Sequence, residues 1–151
     1  MKEDKKKKYN VRDIVIEDYV IIDDWYKQRG ELKPKSSILP NGGLGGFIVE
    51  KNKKPIAAIY FYVTNSKMGY FDFLISDPNY KQKDRFEIIM MLFQYSTKIA
   101  IGAGCECVFV TTAVNGVIDK MKELGLREDL ICEDKKRVII YTYEKDNKVF
   151  N

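Results

Sequence analysis

Between Gly69 and Thr112 the hydrophobic period changes twice. Apolar residues crowd Gly69–Ser76, a polar stretch follows, apolar positions then recur every three or four residues, and a second apolar run covers Cys105–Thr111. The pattern predicts strand, loop, long helix and strand, a βαβ unit whose two parallel strands are joined by a right-handed crossover. Asp84 and Glu87 have capping-box spacing at the start of that helix. Ile88 or Ile89, Leu92, Phe93, Ser96, Ile99, Ala100 and Ala103 make its apolar stripe, and Gly104 closes it. The stripe residues Phe86, Leu92, Phe93 and Ile99 read as core. In such a unit the loop and the helix N-terminus lie at the carboxyl end of the sheet, where open α/β folds bind ligands.

The flanking chain supplies further elements. Tyr9–Ile14 reads as a first strand and Glu17–Arg29 as a helix with Tyr19, Val20, Ile22, Trp25 and Tyr26 on its apolar side and Gly30 as C-cap. Glu31–Gly46 breaks the pattern with Pro34, Pro40 and a cluster of glycines, the mark of a long irregular loop. Phe47–Glu50 and Ile56–Thr64 are strand-like around the turn Lys51–Lys54, and Asn65–Lys67 turns the chain into Gly69–Ser76. Beyond the central unit, Asn115–Leu124 predicts a short helix with Asn115 as N-cap and Gly125 after its end, and Arg137–Tyr143 a last strand. The order is β α loop β β β α β α β, an α+β fold with a mixed central sheet flanked by helices.

At 151 residues the chain fits one domain, here 11–145, with a basic, disordered tail over 1–10 and a C-terminal tail over 146–151. The net charge of +4 loses its meaning once divided. The first eight residues carry +3, which leaves +1 for the remaining 143. A nearly neutral body gives nucleic-acid binding no support. No apolar run reaches the roughly 20 residues of a membrane span, and the lysine-rich start lacks a signal peptide's apolar segment. A cytoplasmic protein, of its own cell or of a host, is the expectation. Cys105, Cys107 and Cys132 are odd in number and suit a reducing compartment, with Cys105 and Cys107 on one face of their strand. The absence of histidine argues against a metal-thiolate centre and excludes Cys-His and Ser-His-Asp catalysis.

Few side chains then remain as candidates for chemistry. Asp72 lies inside an apolar strand, by alternation on the side of Tyr70, Leu74 and Ser76. A carboxylate there can act as general base, directly or through water, toward an ammonium; facing solvent or pairing with a surface lysine is the other reading. Glu50, at a strand end, is a second candidate for that role. The glycine-rich run Asn41–Gly46 lacks the Gly-Lys-Ser/Thr ending of a phosphate-binding loop and reads as a flexible entry to a strand or as a lid.

Three stretches carry a family resemblance: Leu39-Pro-Asn-Gly-Gly with Gly46-Phe-Ile-Val-Glu, then Lys54-Pro-Ile-Ala-Ala-Ile-Tyr-Phe-Tyr, then Asn115 through Lys122-Glu-Leu-Gly-Leu126. Together with the element order they resemble the GNAT superfamily of N-acetyltransferases, and the whole is similar to divergent GNAT-like proteins of bacteriophages. The resemblance implies an acyl-CoA N-acyltransferase fold with acetyl-CoA held in a V-shaped opening between Tyr70–Ser76 and Cys105–Thr111. Backbone groups of Phe73, Leu74 and Ile75 would pair with the pantetheine. A cradle of Gln82, Lys83, Asp84 and Arg85 at the helix start would take the pyrophosphate, and Asn115 would cap its helix, contact the cofactor, or both.

Two departures from the family pattern stand out. The cradle has no glycine and contains Asp84, whose carboxylate would repel a phosphate; Lys83 and Arg85 would offset that through charge-assisted bonds. Arg85 is otherwise an exposed first-turn residue. Met121 occupies the position of the tyrosine that protonates the leaving thiolate, so that role would pass to Tyr141, Tyr143 or Tyr80. The implied activity is direct acetyl transfer to an amine on a small molecule or a protein. A second reading is a catalytically degenerate GNAT-fold binding module or virion component, and a third is a nucleic-acid-associated protein recruited by its lysine tail. Edge pairing through Phe47–Glu50 or Arg137–Tyr143 would build a homodimer.

Overall fold

A computed structural model of the chain describes residues 8–112, 119, 123, 127–131 and 137–142. Among the described residues seven strands form one mixed sheet, β1 (Tyr9–Asp13), β2 (Gly46–Lys51), β3 (Lys54–Val63), β4 (Met68–Ser76), β5 (Cys107–Thr112), β6 (Arg127–Ile131) and β7 (Arg137–Thr142), in the spatial order β1-β2-β3-β4-β5-β7-β6. Helix α1 (Tyr19–Gln28) packs on one face and α2 (Arg85–Gly102) on the other. All neighbours are antiparallel except β4 and β5, the parallel pair that α2 connects. The predicted βαβ unit is therefore present.

Local chemistry explains most boundaries. Asn52 and Lys53 both take positive φ, 50° and 68°, so a two-residue turn whose twist matches the strands closes the β2–β3 hairpin. Arg29 caps α1 and Gly30 follows with φ 64°, as expected of a helix C-terminus. Gly69 admits no side chain, since a Cβ there would lie 2.6 Å from the Phe61 ring and 3.2 Å from Cys105 Sγ.

Two cores result. On the α2 face Ile88, Ile89, Leu92, Phe93 and Ala100 lie against Val49, Ile59 and Phe71 of the sheet. On the α1 face Ile22, Trp25 and Tyr26 cover Ile48, Ala58, Tyr60 and Ile75. Three stripe positions behave otherwise: Val20 is 77% and Ile99 42% exposed, and Ala103 is exposed at the end of α2, because each helix buries a narrower face than its apolar residues suggest. Cys105 precedes β5 and is buried, whereas Cys107 is half-buried and Val108 and Val110 turn to the core. The two cysteines thus do not share one strand face.

Other expectations change as well. Arg127–Ile131 is a strand the sequence reading omitted; it pairs with β7 and leaves β7 between β5 and β6. Likewise β2 lies between β1 and β3. Neither proposed dimer edge is an edge, and the outer strands are β1 and β6. Asp119 and Glu123 are helical, while Asn115, Met121, Gly125, Cys132 and Tyr143 fall outside the described residues. No helix among the described residues is long and apolar enough to cross a membrane.

Leu92 is fully buried where α2 crosses the sheet. Leu92→Ala is expected to destabilise the fold by about 2–5 kcal/mol, read as a lower urea midpoint at unchanged slope. A shift within about 0.5 kcal/mol would contradict this packing.

Candidate functional site

The parallel pair does not stay together. β4 and β5 pair from Met68 with Cys107 to Phe71 with Val110. Beyond that, Thr111 and Thr112 pair with β7, and Asp72, Ile75 and Ser76 pair with β3. The sheet thus forks after Phe71, and among the described residues no strand pairs with the edge of β4 that faces the fork.

A β-bulge lies at the fork. Tyr60 pairs with Asp72 and Ala58 with Ile75, so Phe73 and Leu74 together stand opposite Ile59. Phe73 takes φ 56°, a left-handed conformation uncommon for a bulky residue. Asp72 secures it: Oδ1 accepts the Phe73 N–H at 2.7 Å, and Oδ2 accepts the Tyr70 hydroxyl at 2.6 Å. The bulge also overturns the expected alternation. Leu74 packs on the α2 core with Phe71, while Phe73 and Ile75 go to the α1 face. Asp72, paired with Tyr60, is on that α1 face and is half-buried. Tyr62, Tyr70 and Phe109 form a row of rings beside it, with centroids 5.5 and 5.1 Å apart.

The start of α2 lies at the same end of the sheet. Asp84 is its N-cap by position, but the expected capping box with Glu87 is absent because the carboxylate makes no cap bond. It accepts instead from Lys51 Nζ at 2.7 Å, from the Tyr9 hydroxyl at 2.7 Å and from the Tyr80 hydroxyl. A charge-assisted bond to an ammonium outcompetes a neutral backbone donor. These bonds, from Lys51 first and then Tyr80 and Tyr9, hold the Asp84 carboxyl well below the usual carboxylate range. The same contact, with help from Tyr80, raises the Lys51 ammonium. The carboxylate expected to repel a phosphate is therefore neutralised in an ion pair. First-turn N–H groups of α2 have no partner within the helix, and its dipole favours an anion there.

The remaining candidates divide. Gln82 accepts from Lys51 at 3.1 Å, Lys83 is exposed, and Arg85 donates from Nη2 to Ser76 Oγ at 3.1 Å while its Nε is buried without a partner. Tyr80 is committed to Asp84 and Lys51, which removes it from the acid role. Glu50 lies two strands from β4, accepting from Arg12 at 3.3 Å and Asn10 at 3.1 Å, so the fold does not bring it to the fork. Tyr141 occupies a register position opposite Val108 on β7, and Asn115 is outside the described residues. Lys51, Tyr9 and Arg29 are the site-forming residues the sequence reading missed; their contacts span 29 to 75 positions and leave no local signal.

Two cavities flank these groups. One of about 390 Å³ beside the α2 start is lined by Lys51, Lys54, Tyr80 and Lys81. A larger one of about 550 Å³ lies toward the other end of β3, between Tyr62, Phe61 and the glycine-rich loop. That loop, with Asn41, Gly42 and Gly43 at positive φ, is held by Tyr19 donating to the Gly42 carbonyl at 2.7 Å.

No family model matches the chain, and no curated protein matches it in sequence. Solved structures do match in fold. The N-acetylglutamate synthase from Neisseria gonorrhoeae, complexed with coenzyme A and N-acetyl-glutamate, aligns with TM-score 0.69 and 14% identity over 91% of this chain and 35% of its own. This chain thus spans about a third of that enzyme's length. The ribosomal-protein-S18-alanine N-acetyltransferase from Escherichia coli aligns with TM-score 0.68 and 14% identity over 92% of this chain and 97% of its own. A GNAT-family acetyltransferase from Bacillus cereus gives 0.63 and 16% over 91% and 99%. The chain has the GNAT fold.

The Asp84 ion pair makes a pH prediction. A depressed carboxyl contributes stability above its unfolded value, about 3.9, and loses it as pH falls further. The raised Lys51 contributes below its unfolded value, about 10.4, and loses its share as pH rises beyond. Wild type is expected to melt above Asp84→Asn by a constant margin from about pH 5 to 9, with the gap closing below about pH 4. An undiminished gap at pH 2.5 would refute this role.

Proposed function

We propose that this chain is an N-acetyltransferase that moves an acetyl group from acetyl-CoA directly to an amine. The observation that carries the reading is the fork between β4 and β5, set beside the first turn of α2 with a carboxylate at its base. Acyl-CoA suits the residues present. The unpaired edge of Phe73, Leu74 and Ile75 offers backbone groups to an extended amide chain, as in strand addition. The α2 first turn and the Arg85 guanidinium would offer donors to a diphosphate. The bound thioester supplies an activated acyl group.

Asp72 takes the proton from the incoming ammonium, directly or through a water, and so frees the nitrogen lone pair for attack. It is suited to this by position, beside the end of the β4–β5 pairing and fixed by the Tyr70 hydroxyl and the Phe73 N–H. Phe73, held at positive φ, turns the backbone of β4 where the acyl group would lie. Tyr141, on the strand adjoining β5, is the candidate that returns a proton to the leaving thiolate. The amine enters from the α1 face, past Tyr62 and the glycine-rich loop, which together line the larger cavity. No covalent enzyme intermediate is needed, so the absence of histidine is no obstacle.

Calorimetric titration tests the donor. Micromolar binding of acetyl-CoA is expected, whereas no heat and no thermal shift at millimolar ligand would refute the reading and leave a fold used for binding another partner. Thiol release with a panel of amines tests the base. Asp72→Asn is expected to keep acetyl-CoA affinity within about threefold and to lower transfer by roughly 10²–10⁴-fold at neutral pH. Unchanged transfer would remove Asp72 from the chemistry.

A further inference from the structure

The fold gathers lysines that the sequence keeps apart. Lys51, Lys53 and Lys54 surround the β2–β3 turn, and Lys81 and Lys83 lie in the loop between β4 and α2. Tertiary bonds bring these two segments together. Lys51 Nζ donates to the Tyr80 hydroxyl at 2.9 Å and to Gln82 at 3.1 Å, and the Asp77 N–H donates to the Ile56 carbonyl at 2.8 Å. A third segment joins them, since the Asn52 N–H donates to the Lys8 carbonyl at 2.8 Å. The stretch that carries Lys2, Lys5, Lys6 and Lys7 therefore connects to the sheet beside the same turn. The first eight residues carry +3, and residues 51–54 with 77–85 carry +4, which leaves −3 on the other 130. The body is close to neutral only as an average.

The acids of these loops do not offset the exposed cations. Asp84 is bound by Lys51, Tyr9 and Tyr80, and Asp77 is buried, with Lys54 at 3.9 Å. Lys8, Lys53, Lys81 and Lys83 are exposed, and none has a carboxylate within 4.0 Å among the described residues. Like charges held together repel one another, and a polyanion would relieve that repulsion. Between the segments lies the cavity of about 390 Å³, where Ile56 and the amide side chains of Asn52, Asn79 and Gln82 line the wall with Lys54 and Lys81. Side-chain amides both donate and accept, which suits the edge of a nucleobase, whereas a carboxylate partner would use only their donors. The cavity is on the β2–β3 side of β4 and the fork is on the β5 side, so a ligand here leaves the acyl-donor opening free.

We propose that this basic end of the sheet binds single-stranded nucleic acid, with backbone phosphates on Lys53, Lys54, Lys81 and the lysines of the N-terminal stretch and one unstacked base in the cavity. A single strand is required, because a base paired in a duplex cannot turn its edge into a pocket. Lysine suits the phosphates as a mobile point charge, and the amides read the base without demanding one sequence. The inference goes beyond acetyl transfer and does not depend on it.

The test is fluorescence anisotropy of the full chain with a labelled single-stranded RNA of mixed sequence, roughly 12 nucleotides long. Wild type is expected to bind it with a micromolar Kd at about 50 mM salt and to weaken steeply as salt rises. The double variant Lys54→Gln/Lys81→Gln is expected to bind about tenfold more weakly, with a salt slope shallower by about 1.4. Lys81→Gln alone, at an exposed position without an ion pair, should lose about threefold and guards against a folding defect in the double variant. Lys98→Glu changes the net charge by as much as the double variant, on an exposed position near the far end of α2, and should stay within about twofold of wild type. No binding by wild type at about 100 μM protein overturns the proposal. Equal losses in the double variant and Lys98→Glu also overturn it, by making net charge the cause. Equal binding of the matching duplex or of polyglutamate of the same length removes the single-stranded base from the account and overturns it too. Displacement of the RNA by acetyl-CoA overturns it by assigning the cavity to the acyl donor. Each of these failures leaves the acetyltransferase reading to its own test.

Discussion

The structure depends on how β5 uses its two edges. A strand has two edges, and β5 gives one of them to β7 along its whole length, from Cys107 to Thr112. Its other edge holds β4 for only four residue pairs. A bulge raises local twist, and the one at Phe73–Leu74 turns β4 away just where the parallel pairing stops. Backbone groups left on that edge are obligatory hydrogen-bonding groups that no strand among the described residues pairs with. A ligand with amides of its own can meet that need, which is why the fork draws the functional reading toward it.

Asp72 links this constraint to chemistry. It binds the N–H of the strained residue that follows it, and it accepts from Tyr70, whose ring lies between those of Tyr62 and Phe109. One carboxylate thus stabilises the bulge and stands at its mouth. Charges elsewhere are sorted in two ways. Asp84 with Lys51, and Asp18 with Arg12, are closed pairs whose bonds are made within the protein. Arg29 and Arg85 are gathered on a neutral serine, with no carboxylate within 4.0 Å among the described residues.

Tyr60 shows the opposite arrangement. It is 1% exposed, its hydroxyl has no partner, and burial first, then the surrounding Tyr19, Asp23, Tyr62 and Asp18, pushes it up to about 12. It stays protonated at neutral pH and packs with Ile22, Trp25 and Tyr26 of α1, so its ring serves packing.

The order of strands and helices from Tyr9 to Thr112, the span of α2, the β2–β3 turn at Asn52-Lys53 and the end of α1 at Gly30 were legible in the sequence alone. Each is written in neighbouring residues, through hydrophobic period, turn chemistry or a terminal glycine. Arg127–Ile131 escaped because its Arg-Glu-Asp start hides the apolar pattern of a strand. The capping box at Asp84 was a sound local expectation that lost to partners from β1, from β2 and from the loop before α2. Which strands form the edges, where β4 parts from β5, how the bulge reverses the faces after Asp72, and that Arg29 meets Arg85 were decided only by the tertiary structure. Those outcomes depend on groups up to 75 residues apart, such as Tyr9 and Asp84, or 47 apart, such as Arg29 and Ser76. Period and propensity report on a residue's neighbours along the chain, whereas register and packing across the sheet choose its neighbours in space.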